Sequence, residues 1–379
     1  MSQKAIYFDY AAATPVSVTV TTAMQPYLTE RFYNPSATYN SGRAVRTDLD
    51  DARSKVAHWL GARSSDIIFT AGGTEANNMA IHGVMANHPN ANIVVSSIEH
   101  DSILLPALQY DVRIANVDKT GRIDLADLEA KIDENTLLVS VMYVNNEIGT
   151  IQPISQISKI IDKQRRARTT NFPIYLHTDA CQATNYLDLH TARLGVDLMT
   201  INGGKIYGPK QSGSLYVKAG TDIKAIVQGG GQERGLRSGT ENVAACIGFA
   251  TAIDEAQNMR RSEAERLQGL QHSFIKRVAA EFPEAVINGT QKYRIPNNLH
   301  ATFPGQDNER LLIQLDELGI MAAAGSACSA SQDQPSHVLR AIGVTDKDAQ
   351  SSIRISMGRS TDEDSIDELI KFLRQIIIS

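Results

Sequence analysis

Three residues that carry covalent chemistry are marked out by their neighbours: a lysine among glycines, a carboxylate at the end of an apolar run, and a cysteine in a polar loop. Lys205 lies in the stretch 202–210, directly after the apolar run 196–201. Gly203 and Gly204 let the backbone come close to a ligand, and a desolvated lysine is a nucleophilic amine that can reach a bound cofactor. Read alone, the same stretch is also a surface turn with a solvated lysine. Asp179 follows the run 172–175, so it should stand at a strand end. A carboxylate there has to be paired; its sequence neighbours supply no cation, and a protonated ring nitrogen of a cofactor is one available partner. Cys328 sits in a loop of small and polar residues, 325–334, before Pro335. Buried structural cysteines have apolar neighbours, as Cys246 does, so Cys328 reads as an accessible reactive thiol.

Further polar groups gather around these three. Gly72, Gly73 and Thr74 join an apolar run at 66–70 to a helical stretch through Ile81 and Val84. Such a turn aims free N–H groups and the Thr74 hydroxyl at one point, as phosphate-binding helix ends do; the same residues also make an ordinary helix cap. The segment 228–240 is rich in glycine and arginine. It is a flexible linker or an ordered anion-binding loop, and Arg234 and Arg237 favour the loop. The arm 7–15 is built of small residues and turns at Pro15; it lines a site or merely packs.

The elements that must position these groups alternate. Short apolar runs at 66–70, 92–96, 112–117, 137–144 and 196–201 are separated by helical patterns, among them the stripe Val45, Leu49, Ala52, Val56 and Leu60 that Gly61 ends. This alternation predicts an α/β fold with a mostly parallel sheet covered by helices on both faces. Ligands in such sheets sit at the carboxyl ends of strands. Thr74, His100, Asn146, Asp179 with Gln182, and Lys205 all fall at or just after those ends. A long helical pattern over 241–282 marks the crossover to a second unit with a strand at 297–303, a helix around Leu311 and Leu315, and a final amphipathic helix through Leu369, Phe372 and Ile376. The expected division is a large domain over 15–260 and a smaller α+β domain made of 1–14 and 261–379, which carries the Cys328 loop.

A chain of 379 residues with 42% apolar and 21% charged residues describes an ordinary globular protein of about two domains. Its net charge of -5 argues against broad nucleic-acid or anionic-membrane binding and for small-molecule substrates. The basic cluster 163–168 reads as a solvated helix end. No stretch has the form of a signal peptide or a membrane span, so a cytoplasmic location is expected. Three widely spaced cysteines fit a reducing compartment and offer no metal-ligand spacing.

Taken together, residues 7–15, 72–78, 99–100, 144–149, 179–182, 205–210, 234–240, 325–328 and 351–354 resemble the cysteine desulfurases of the NifS/IscS type. These are pyridoxal 5'-phosphate (PLP) enzymes of the aspartate-aminotransferase fold, fold-type I, and the likeness covers nearly the whole chain. The resemblance implies that Lys205 forms the Schiff base, Asp179 pairs the pyridinium nitrogen, His100 stacks on the ring and serves catalysis, and Gln182 bonds the phenolic oxygen. It further implies that Gly73, Thr74 and Asn202 hold the phosphate, with Thr240 reaching it from the other subunit of a homodimer. Asn146, beside the cofactor, and Arg354 would fix the carboxylate of L-cysteine. Cys328 would receive the sulfur as a persulfide for a sulfur-acceptor protein, an iron-sulfur scaffold or a tRNA thiolase. The family usually has serine and histidine where this chain has Asn202 and Gly204. Two other readings stand beside this one: another class V PLP enzyme, such as a selenocysteine lyase or aminotransferase, and a sulfur-relay protein with little turnover. An aminotransferase has no use for the Cys328 loop.

Overall fold

Runs of five residues that are apolar on both faces can only be strands covered from both sides, and the chain supplies several of them. The computed structural model describes residues 5–169, 172–325 and 335–378. In chain order its strands are β1 (Ile6–Tyr7), β2 (Ile67–Thr70), β3 (Asn92–Ser96), β4 (Asp111–Ala115), β5 (Thr136–Ser140), β6 (Tyr175–Asp179), β7 (Leu198–Asn202), β8 (Gly213–Val217), β9 (Val286–Ile287), β10 (Asn298–Thr302), β11 (Ile320–Met321) and β12 (Ser352–Ser356). Among the described residues, β2 to β8 form a seven-stranded sheet in the order β2-β8-β7-β6-β5-β3-β4. The strands from β4 to β7 run parallel, whereas β8 is antiparallel to both β7 and β2. The chain thus has the α/β fold expected of it, with helices around a mostly parallel sheet.

Two details differ from the pattern reading. The strand expected over 137–144 is regular only to Ser140; beyond it Val141 N and Tyr143 N still donate to β6, at His177 O and Asp179 O, while Met142 and Val144 line a cleft. The reading also has no counterpart to β8, whose glycine and serine start leaves only Leu215 to Val217 apolar. The helix Asn40–Leu60 buries Val45, Leu49, Ala52, Val56 and Leu60, and Gly61 closes it at φ 60°, where a side chain would be strained.

Beyond the large sheet, β10 pairs antiparallel with β9 and β12, and β1 lies parallel to β11. The helix Val243–Glu281 runs between the two regions, so the division expected at residue 260 falls inside one continuous element. The N-terminal arm crosses from the small sheets to the large one. Ala11 N donates to Ser356 Oγ at 2.9 Å and Thr14 N to Gly204 O at 3.1 Å, which fixes the arm over the end of β7. The basic cluster is less solvated than expected: Arg165 bonds Asp162 and Ile174 O, and Arg168 donates to Phe172 O and Thr136 O. These guanidinium groups tie the helix Ile154–Ala167 to neighbouring backbone. No described helix is long and apolar enough to cross a membrane.

Two fully buried histidines lie under the working end of the fold. His177 of β6 bonds Ser140 Oγ at 2.8 Å and Thr200 Oγ1 at 3.1 Å, and burial pushes its pKa down to about 4. His300 of β10 meets Asn288 Nδ2 at 3.0 Å and is pushed down to about 3, by burial first and then by Arg294 and Arg354. The unfolded chain takes up a proton on each near pH 6.5, but the folded chain does so only far lower. Stability is therefore complete above that value and declines as pH falls below it. Urea unfolding between about pH 6.5 and about pH 5 should lose up to about 1.4 kcal/mol per pH unit for each histidine, and His300→Gln should flatten the slope. A slope unchanged in that variant would show that His300 is not held neutral.

Candidate active site

Because β6 and β7 are parallel neighbours, their carboxyl ends open on the same side, and each delivers one candidate there. Asp179 is the last residue of β6; Lys205 ends the short 3-10 turn Gly203–Lys205 that follows β7. The Asp179 carboxylate is buried. It accepts Asn77 Nδ2 at 2.7 Å and Cys181 N at 2.9 Å, and among the described residues no cation pairs with it. Asn77 Nδ2 also lies 2.8 Å from Ser102 Oγ, which bonds His100 Nδ1 at 2.9 Å. His100 caps the helix Asp101–Ala107 by accepting Ser102 N through the same Nδ1, so the neutral ring carries its proton on Nε2. One chain of bonds thus fixes a carboxylate and an imidazole against each other.

Lys205 Nζ donates to Ala11 O at 2.9 Å and to Ala12 O at 2.5 Å, and Gln182 Nε2 donates to Ala11 O at 2.9 Å. The arm of small residues therefore lines the site. Burial lowers the pKa of the amine, and Arg354 lowers it further, against the opposing pull of Asp9 and Asp179. Cys181 also faces the cleft. Its thiol is pushed well above its ordinary value by burial and by Asp179, so it stays uncharged and is a poor nucleophile.

The turn before the helix Gly73–Met85 needs its glycines. Gly72 sits at φ 125°, and a Cβ on Gly73 would lie 2.9 Å from Cys181 Sγ. The helix has no side-chain cap, so its first N–H groups are left for a ligand where Gly73 and Thr74 line the cleft. Asn202 Oδ1 accepts Gly204 N at 3.0 Å, and its amide nitrogen lies 3.4 Å from where a Gly73 Cβ would be. A Cβ at Gly204 would approach nothing nearer than 3.5 Å; the glycine is not forced by crowding and adds only its backbone.

Arg354 enters from β12 with its side chain 1% exposed. Its Nη2 donates to Asp9 Oδ1 at 2.7 Å and its Nη1 to Asn146 O at 3.1 Å, while Nε has no partner among the described residues. Asn77 Oδ1 likewise lacks one. Both residues line the same cleft, whose polar lining suits a polar ligand. The donor set fits PLP: an amine for an aldehyde, a carboxylate without a cation for a ring nitrogen, and an uncapped helix end for a phosphate.

The structure gathers Gly73, Thr74, His100, Asn146, Asp179, Gln182, Asn202, Lys205 and Arg354 around one cleft. Thr240 lies apart, exposed, beside a second cleft that Arg237 and Glu241 line. Cys328 lies outside the described residues. On either side of that segment, a Cβ at Gly325 would lie 3.4 Å from Glu147 Oε2, and Ser336 Oγ donates to the same oxygen at 2.6 Å. The pattern reading gives no role to Asn77, Ser102, Asp9 or Cys181. Asn77 has a weak signal, four residues after Gly73 and so on the same helix face. Asp9 and Ser102 reach their partners only through the tertiary fold.

The family described as aminotransferase class-V matches residues 6–369. The chain is 41% identical to a cysteine desulfurase IscS of Dictyoglomus turgidum over 382 residues, covering 99% of this chain and 95% of that one. It is 40% identical to cysteine desulfurase IscS 1 of Archaeoglobus fulgidus, covering 98% and 96%. A solved structure titled NifS-like protein superimposes with a TM-score of 0.91 at 31% identity over 99% of both chains.

The geometry makes Lys205 an amine of reduced basicity before any cofactor is added. Competitive labelling of the apo-protein across pH should place Lys205 below the ordinary lysine value of about 10.4. A titration at or above that value would contradict the burial described.

Proposed function

The chain belongs to the aminotransferase class-V family as a cysteine desulfurase of the NifS/IscS type, and we propose that its cleft residues divide the conversion of L-cysteine to L-alanine among them. The family uses PLP, which when bound supplies an electron sink for bonds broken at the substrate's α-carbon. Lys205 would hold it covalently, Asp179 would pair its ring nitrogen, and His100 would lie against its ring. Gln182 would meet its phenolic oxygen. Gly73, Thr74 and Asn202 would hold its phosphate, with Thr240 arriving from a second copy of the chain. The observation that carries this reading is the buried Asp179 carboxylate, which has two neutral donors and, among the described residues, no cation, on the same cleft as Lys205.

The protein's own groups then act in order. Arg354 is held on two sides by Asp9 and the Asn146 carbonyl and lines the cleft, where its guanidinium would meet the substrate carboxylate. Each charge-assisted bond there is worth about 1.5 to 3 kcal/mol. Lys205, with its pKa lowered by burial, takes the α-proton and returns one later. His100, its Nδ1 engaged by Ser102, offers the proton on Nε2 at the ring face. The Cys328 thiolate attacks the substrate sulfur. The new S–S bond forms as the C–S bond breaks, the electron pair stays with carbon, and protonation of that carbon completes alanine.

The persulfide left on Cys328 is the form in which sulfur passes to an acceptor protein of iron-sulfur cluster assembly or tRNA thiolation. An exposed Thr240 outside its own cleft supports the dimer, because within one chain it has no phosphate to meet. Borohydride reduction followed by peptide mapping should place the pyridoxyl group on Lys205. Cys328→Ser should keep that label and still bind cysteine, yet release alanine at less than about one tenth of the normal rate. A label on another lysine, or near-normal turnover of the serine variant, would overturn the assignment.

A further inference from the structure

The loop 228–240 is anchored in a way that its proposed role in a partner's site does not require. Glu233 is buried and accepts Arg53 Nη1 at 2.6 Å, Arg53 Nη2 at 2.7 Å and Phe69 N at 2.8 Å. Arg234 donates to Ile67 O and, at 3.1 Å, to Ser64 O. Both residues hold left-handed backbone, at φ 46° and 59°, although neither is glycine. Strain of that kind persists only where surrounding bonds over-determine the conformation, as they do here along β2.

Three residues on, Arg237 Nε donates to Glu75 Oε1 at 2.7 Å. Glu75 is in the first turn of the helix Gly73–Met85, directly after Gly73 and Thr74, and its Oε2 accepts Ala71 N at 3.2 Å. The clasp therefore ties the chain's own phosphate-suited turn to the loop that ends at Thr240. Past Arg237, Gly239 N donates to Gln232 Oε1 at 2.9 Å, which closes the loop on itself. The loop's tip is unfinished within one chain. Next to the exposed Thr240, the Glu241 carboxylate is 3% exposed; among the described residues no donor bonds either oxygen, and Arg46 Nη1 stands off at 3.6 Å.

From this we propose that the Glu75–Arg237 clasp couples the two cofactor sites of the dimer. Glu75 and Arg237 are positioning residues: the turn that meets phosphate in one chain sets, through Arg237, the loop that completes the phosphate site of the other. The proposal rests on the dimer and PLP readings given above. Loss of the clasp loosens residues 238–240 and weakens cofactor binding in the neighbouring site. The chain's own turn keeps its Ala71 bond to Glu75 and its helix.

Heterodimers of two differently tagged chains test this by PLP titration of apo-protein followed by borohydride trapping, with no turnover involved. In the first, one chain carries Lys205→Ala and the other Arg237→Ala, so the remaining Lys205 faces an intact partner loop. In the second, both changes are on one chain, so the remaining Lys205 faces a loosened partner loop. The PLP concentration for half-maximal trapping should rise by about fivefold or more in the second and by less than about twofold in the first. Glu75→Gln in place of Arg237→Ala should give the same asymmetry. An equal rise in both arms, a rise only in the first, or no rise in either would overturn the proposal. A chain that stays monomeric at every concentration would instead contradict the dimer reading, and the coupling with it.

Discussion

A carboxylate buried without a cation is the constraint on which this site is built. Asp179 is buried at the end of β6, its oxygens are held by the Asn77 amide and the Cys181 N–H, and among the described residues no cation pairs with it. A ligand that brings positive charge would complete its surroundings. Much around it follows from this: Asn77 holds Asp179 and, through Ser102, orients His100; the helix carrying Asn77 starts at the turn that would take a phosphate. One helix therefore carries both the residue that holds Asp179 and the turn suited to a phosphate.

The second constraint is topological. A parallel sheet places Asp179 and Lys205 at neighbouring strand ends, but Arg354 lies on a separate sheet and Ala11 on the N-terminal arm. The arm brings them together: its carbonyls receive Lys205 and Gln182, Asp9 receives Arg354, and its backbone bonds Ser356 and Gly204. The Lys205 amine and the Arg354 guanidinium are therefore fixed by the same six or so residues of the arm.

What sequence reveals here follows from how each signal is generated. Strand ends are legible because apolar runs stop at them, so pattern alone places Asp179, Lys205 and Thr74 at the edge where ligands bind. Gly73 is legible as a turn but not as a packing necessity, which comes from Cys181 Sγ, more than a hundred residues away in the chain. Asp9, Asn77 and Ser102 carry no strong local pattern, since their partners are set by tertiary packing. The antiparallel β8 escapes notice because it opens with glycine and serine directly after a turn, so its apolar part is only Leu215 to Val217. The basic cluster 163–168 reads as solvated because periodicity cannot show which carbonyls a guanidinium will meet.

Among the described residues Asp179 has no cation, and the state of the ring nitrogen of bound PLP reports directly whether the cofactor supplies one. Nitrogen-15 NMR of the protein loaded with ring-labelled PLP should show a protonated nitrogen at neutral pH, and Asp179→Ala should shift it to the unprotonated form. An unprotonated nitrogen in the wild-type protein, or the same protonated signal in both, would contradict the account.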